Sequence, residues 1–183
     1  MMSARRNYPI ILLVCVFCIG ICVDSIQAQD DENVKKAAYW FNVGLGLSTA
    51  GSTALSANGS LRINKTIFSV RTTQVSEAKD QVGGGEFFDV GILIGTTASV
   101  TSNKLIALAV GLARVTGYRY VGEPGRNRSV EKEPLNNSIG IPLEIQMFYR
   151  PNHIFGIGFY IFGNFNSEQS FGGITLSIQF GQF

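Results

Sequence analysis

Apolar and polar residues alternate along most of the chain, and turn-forming residues interrupt this alternation at intervals. A period of two places successive side chains on opposite faces of an extended strand. The interruptions divide the chain into eight predicted strands, namely Tyr39–Ser48, Leu55–Asn64, Thr66–Val75, Phe87–Ser99, Lys104–Tyr118, Ser138–Arg150, Ile154–Asn166 and Gly173–Phe183. The pattern therefore predicts an all-β protein.

The stretch Leu105–Ala113 (LIALAVGLA) is the most helix-like part of this pattern, because leucine and alanine favour helices. A buried helix of about two turns is one interpretation. Large residues from Ile106 to Leu112 nevertheless alternate with alanine and glycine, as in a strand with one large and one small face. We therefore predict a strand here.

The connections between the predicted strands alternate between long and short. In chain order they are Thr49–Ala54, Asn64–Lys65, Ser76–Glu86, Val100–Asn103, Arg119–Asn137, Pro151–Asn152 and Ser167–Gly172. Barrels of bacterial outer membranes have short periplasmic turns, longer outer loops and an even number of strands. The alternation predicts an eight-stranded antiparallel up-and-down transmembrane β-barrel with Tyr39 at its periplasmic end.

Each predicted strand has one apolar face, and alternation alone leaves open whether that face meets lipid or a dry core. A secreted soluble β-barrel that binds a small apolar ligand would show the same period with the apolar face inward. The opposite face of such a barrel would meet water and carry Lys and Glu. Here it carries many glycines, for example Gly44, Gly91, Gly140 and Gly158. Because the interior of a barrel of about eight strands is crowded, small residues favour the lipid-facing interpretation.

Charged residues in the strand centres lie on the same face as the glycines. They are Arg62, Arg71, Asp89 and Glu144. A lipid-facing Arg at mid-depth would cost about 2–4 kcal/mol, so we predict that these four side chains point inward and pair with one another as a lumen charge network. Surface charges on a soluble sandwich are the alternative.

The N-terminal segment has the layout of a secretory signal peptide: Arg5 and Arg6, an apolar run from Pro9 to Val23, and the small residue Ala28. The run is shorter than the roughly 20 apolar residues of a membrane-spanning helix, the competing interpretation. We predict a cleaved signal peptide over residues 1–28 and a barrel domain over residues 29–183. The cysteines Cys15, Cys18 and Cys22 all lie in the predicted signal peptide, so no disulfide is expected in the exported chain.

Composition agrees with a membrane barrel more than with a soluble domain. Only 15% of the residues are charged, against about 25% in typical soluble domains. The formal net charge of +2 gives no indication of a nucleic-acid partner.

The predicted signal peptide, the eight alternating strands and the terminal segment GGITLSIQFGQF together resemble the small eight-stranded outer-membrane barrels of outer-membrane protein A or X type. The resemblance implies outer-membrane lipid and the barrel-assembly machinery as partners. It implies a C-terminal assembly signal, with Phe180 and Phe183 as its candidate residues. In that signal the residues at alternate positions back from the last aromatic are apolar, whereas here the apolar positions end at Phe180; a bulge at Gly181 would restore the register.

No catalytic or cofactor-binding constellation is visible in the sequence. The sole histidine, His153, lies in a predicted short turn, which suits a turn residue better than a general base, and no cluster of metal ligands is present. We therefore expect a non-enzymatic outer-membrane barrel without a cofactor and with a structural, surface-binding or minor transport role. The loop 119–137 is the candidate site for an extracellular ligand, and a solvated, flexible loop is the alternative.

Overall fold

The computed structural model describes residues 37–49, 51–76, 85–101, 103–121, 131–136 and 138–182. The predicted signal peptide and Phe183 lie outside these residues. The described residues form nine strands, which are β1 Ala37–Ser48, β2 Thr53–Ile63, β3 Thr66–Ser76, β4 Gly85–Thr101, β5 Lys104–Val121, β6 Glu131–Pro134, β7 Ser138–Tyr149, β8 Phe155–Asn166 and β9 Phe171–Gln182.

Eight of these strands close into an antiparallel barrel in which each strand pairs with its neighbour in the chain. The barrel closes where β1 pairs with β9, from Tyr39 opposite Gln182 to Ser48 opposite Gly173. The short strand β6 pairs only with the end of β5, and β5 pairs further down with β7. The predicted up-and-down barrel is confirmed.

The connections define two ends of the barrel. We call the end with the turn at 64–65 the turn end, and the opposite end, where β4 begins and β5 finishes, the loop end. Asn64 adopts a positive φ of 56° in the tight turn, a conformation that Asn tolerates well. The strand predicted over the helix-like stretch Leu105–Ala113 is also confirmed, since it lies within β5.

The predicted alternation of connection lengths is wrong for the last two connections. The Asn152 side chain accepts hydrogen bonds from the backbone amides of Ile154 and Phe155 at 3.0 and 2.7 Å, so the turn extends over 150–154 and β8 begins at Phe155. In contrast, β9 begins at Phe171, two residues earlier than predicted, which leaves only 167–170 as the connection. In this second connection the Asn166 side chain accepts hydrogen bonds from the amides of Glu168 and Gln169 at 3.0 and 2.8 Å.

The strand β6 was not predicted, because its four residues EKEP carry no alternation and all of them are exposed. It forms because β5 continues to Val121, three residues beyond the predicted end, and offers a free edge from Tyr118 to Val121. A Pro and alternating charges on an edge strand are a common protection against further pairing.

The apolar face of the strands points outward. Ile139, Ile92 and Leu45 expose 75%, 66% and 59% of their surface, whereas Asn42, Asp89 and Gln179 on the opposite phase are completely buried. The soluble-barrel alternative, with its apolar face inward, is therefore wrong, and so is the alternative of surface charges. No helix within the described ranges is long and apolar enough to cross a membrane.

Glycines make room on the inward phase. A Cβ atom on Gly158 would collide with the Met147 carbonyl and the Cα atom of Phe148 on the neighbouring strand, and one on Gly44 would collide with Ser177 and Thr175. By contrast, a Cβ atom on the outward-facing Gly59 would meet nothing within 4 Å. The crowding inferred from the sequence is present inside the barrel.

Candidate functional site

The candidate site is the filled interior of the barrel, which we call the lumen. Its middle consists of polar and charged side chains, and each end is closed by apolar ones. At least nineteen buried polar or charged residues are present, and most belong to this interior. Such a distribution inverts that of a soluble protein and requires that the polar groups satisfy one another.

Arg71 crosses the lumen and connects opposite walls. Its Nη2 atom lies 2.7 Å from Oδ2 of Asp89 on β4, and both side chains are completely buried. The same guanidinium donates to the carbonyls of Leu143 on β7 at 2.7 Å and Gly163 on β8 at 2.9 Å. It also lies 5.9 Å from the centre of the Phe162 ring. One side chain from β3 thus ties three other strands.

Asp89 is fully engaged as an acceptor. Besides Arg71, it accepts hydrogen bonds from the amide and hydroxyl of Thr73 at 3.2 and 2.6 Å and from the Asn164 amide at 2.7 Å. A Cβ atom on Gly140 would collide with Asn164, so the glycine leaves that amide free to reach the carboxylate. These four hydrogen bonds satisfy the buried carboxylate within the lumen.

Glu144 organises a second polar group closer to the turn end. It accepts hydrogen bonds from the Tyr160 hydroxyl at 2.6 Å, the Asn58 amide at 3.0 Å and the Gln146 amide at 2.9 Å. Gln146 in turn accepts a hydrogen bond from the Trp40 indole at 3.0 Å. The carboxylate thereby links β2, β7 and β8, and the chain of hydrogen bonds continues to β1.

Two apolar clusters close the polar layer. The loop-end cluster consists of Ala54, Val75, Phe87, Val115, Leu135, Tyr160, Phe162 and Phe171. Its Phe87 and Phe171 rings stack with their centres 5.6 Å apart. The turn-end cluster consists of Ala38, Trp40, Ile67, Leu105, Ala107 and Phe148. Water reaching the charged layer from either end would have to pass one of these clusters.

The four charged residues of the predicted network lie at different levels of the lumen. Arg62 is buried, and Asp89 and Glu144 accept hydrogen bonds from other side chains, among them Arg71 and Tyr160. Arg62 lies opposite Ala38 near the turn end, close to the buried cation Arg150. Arg150 donates to Gln179 at 2.9 Å and lies 5.2 Å from the centre of the Trp40 ring. The structure brings Arg71, Asp89 and Glu144 into one layer and places Arg62 in another.

Of the two candidate residues of the assembly signal, Phe180 lies within the described residues and Phe183 lies outside them. Phe180 faces outward at the turn end, and its ring packs edge-on against Phe155 with the centres 5.6 Å apart. The pairing of β9 with β1 is regular through Gly181 to Gln182, so no bulge at Gly181 restores the register of the assembly signal. Recognition of Phe180 and Phe183 by the assembly machinery stays a prediction.

The described part of the loop 119–137 forms a ribbon that extends β5 beyond the barrel. Arg119 and Glu133 form an exposed ion pair at 2.8 Å, and hydrogen bonding to Arg119 lowers the pKa of the Glu133 carboxyl. Lys132 lies 4.2 Å from the centre of the Tyr118 ring. Leu135 folds back from this ribbon into the loop-end cluster, and its amide donates to the Gly117 carbonyl.

No protein-family model and no curated protein sequence matches this chain. Solved structures match over most of its length. Neisserial surface protein A aligns with a TM-score of 0.52 and 14% identity, over 80% of this chain and 96% of that one. The Ail protein of Yersinia pestis aligns with a TM-score of 0.55 and 10% identity, over 80% and 99%. The N-terminal barrel of Pseudomonas aeruginosa OprF aligns with a TM-score of 0.52 and 10% identity, over 80% and 98%.

This chain has the fold of the small eight-stranded outer-membrane β-barrels. At these levels of identity the likeness extends to the fold alone. The function must therefore be argued from the side chains of this chain.

Sequence reasoning missed several residues of the lumen and one outside it. The carboxylates of Asp89 and Glu144 accept hydrogen bonds from Asn58, Gln146, Tyr160 and Asn164. The position of these four residues on the inward phase of their strands was the signal in the sequence that could have identified them. Arg114 was also missed: it follows Leu112 on the outward phase of β5 and is exposed on the barrel exterior. His153 is exposed in the turn after β7.

Replacing Arg71 with Ala should lower the free energy of unfolding by about 3–5 kcal/mol, because it leaves the buried Asp89 carboxylate without its cation. Urea unfolding in detergent micelles, followed by heat-modifiable gel mobility, measures the change. Arg119→Ala is the control, since it breaks an exposed pair and should leave stability nearly unchanged. Equal stability of the Arg71→Ala variant and the unmodified protein would contradict the structural role of Arg71.

Proposed function

We propose that this protein is an integral, non-enzymatic barrel of the bacterial outer membrane that does not form an open pore and presents its loop end at the cell surface. The observation that carries the proposal is the inversion of polarity, with exposed apolar side chains around a lumen whose middle is buried and charged. The structural and surface-binding roles expected from the sequence are favoured over transport.

The exterior supports membrane insertion. Outward positions on every barrel strand carry large apolar residues that expose about 40–75% of their surface, and they continue around the closed sheet. Soluble monomers rarely expose contiguous apolar patches beyond a few hundred Å². A closed barrel also leaves no unpaired strand edge in lipid, because each strand pairs on both sides.

The lumen argues against transport through the barrel. A solute passing through would have to displace the Phe87–Phe171 stack, the Arg71–Asp89 pair and the turn-end cluster around Trp40 in succession. Breaking a buried ion pair alone costs several kcal/mol. Barrels of about eight strands are in general only wide enough to be filled by side chains.

The surface-binding role is assigned to the ribbon formed by β6 and the end of β5. It places aromatic and charged side chains beyond the barrel at the loop end, including Tyr118, Lys132 and Arg119. Among the proteins of similar fold, Ail is the attachment invasion locus protein of Yersinia pestis, and one of its structures contains the heparin analogue sucrose octasulfate. By analogy, we propose that this chain also binds a ligand at the cell surface.

Cysteine labelling in intact cells tests the location and orientation. Lys132→Cys, on the ribbon, should react with a membrane-impermeant maleimide in intact cells. His153→Cys, in the turn at the opposite end, should react only after the outer membrane is permeabilised. The chain without an introduced cysteine is the background control, because its cysteines lie in the predicted signal peptide.

Recovery of the protein in the soluble periplasm would overturn the proposal. Labelling of His153→Cys but not Lys132→Cys in intact cells would reverse the orientation and contradict surface presentation.

Reconstituted protein should give no steady ion conductance across a planar bilayer, because apolar clusters at both ends close the charged layer. A porin reconstituted in the same way is the positive control. Stable conductance steps from the unmodified, folded barrel would contradict the closed lumen and restore the transport role.

A further inference from the structure

Arg114 is a cation placed among lipid-facing side chains. Its side chain is exposed on the outward face of β5, directly opposite Val90 on β4 and Ile139 on β7. These two neighbours expose 47% and 75% of their surface, and Leu112, the preceding outward residue, exposes 61%. Apolar side chains therefore surround the aliphatic part of the Arg114 side chain on at least three sides.

The environment of Arg114 differs from that of other charges on the barrel. Within the described chain, no hydrogen bond or ion pair involves its guanidinium. Lys104 and Glu86, the other charged residues at outward-facing positions of the described barrel strands, lie at strand ends. Glu86 lies directly opposite Tyr118 of β5 at the loop end.

The position of Arg114 along the strand corresponds to the loop-end border of the apolar surface. Its partner Ile139 is the second residue of β7, and Thr116 and Tyr118 follow it on β5. A lipid-facing Arg is costly at the bilayer midplane and nearly without cost close to the interface. At this border the apolar stem can lie against acyl chains while the charged group reaches the headgroups.

We propose that Arg114 binds the phosphate group of an anionic lipid in the outer leaflet; this inference rests on the proposed membrane location and orientation. The guanidinium presents a planar set of donors that matches phosphate oxygens in a bidentate manner. Val90, Leu112 and Ile139 offer apolar contacts for the acyl chains attached to that phosphate. A lipid can contact both the Arg114 cation and the apolar side chains around it, whereas free inorganic phosphate can contact only the cation.

The test compares the stability of the reconstituted full-length barrel in two kinds of vesicle, phosphatidylcholine alone and phosphatidylcholine with lipid A. Urea unfolding is followed by the fluorescence of Trp40, the only tryptophan of the chain. Lipid A should shift the unfolding equilibrium of the unmodified protein toward the folded state by about five-fold, the effect of one cation at an anionic surface. Arg114→Gln should lose most of this shift.

Lys104→Gln is the matched control, because Lys104 is an exposed cation on the outward phase of the same strand at the turn end. It should retain the full shift. An undiminished shift in Arg114→Gln, an equal loss in Lys104→Gln, or the same shift on adding inorganic phosphate to phosphatidylcholine vesicles would each overturn the proposal. Failure of every variant to insert into vesicles would instead overturn the proposed function.

Discussion

The ion pair between Arg71 and Asp89 is the interaction on which the closed lumen depends. It brings together β3 and β4, and the remaining donors of Arg71 reach β7 and β8 on the other side of the barrel. In a low-dielectric interior neither charge is tolerable without the other. Thr73, Asn164 and the small residue Gly140 complete the arrangement by holding the carboxylate and leaving space around it.

The exterior and the lumen follow from the same constraint, which is that a strand in lipid must satisfy its polar groups within the protein. Pairing on both sides satisfies the backbone, and the inward phase collects the polar side chains into hydrogen-bonded groups around Asp89 and Glu144. Glycines such as Gly158 make this crowding possible. What remains outside is apolar, apart from Arg114 and the strand ends. These exceptions mark where the barrel leaves the hydrocarbon and can meet headgroups or external ligands.

Much of the fold could be predicted from the sequence, because a period of two fixes both the strands and the phase of each side chain. The inward burial of Arg71, Asp89 and Glu144 followed from that phase. Their partners could not be predicted, since Asn58 and Glu144 are 86 residues apart and meet only after the barrel closes. The level of Arg62 in the lumen, near the turn end, could not be predicted for the same reason. The ribbon strand β6 could not be predicted because its sequence shows no alternation. Arg114 could have been predicted to face outward, because it lies two residues after the apolar Leu112 on the same strand.

A double-mutant cycle on Arg71 and Asp89 tests the central claim most directly. The unfolding free energies of Arg71→Met, Asp89→Asn and the double variant are compared with that of the unmodified barrel in the same vesicles. Each single variant leaves one charge buried without its partner, whereas the double variant removes both charges. The account predicts a coupling energy of about 2–3 kcal/mol, with the double variant more stable than the sum of the single changes implies. Single changes that add to within about 0.5 kcal/mol would show that the two residues act independently, and would contradict the account.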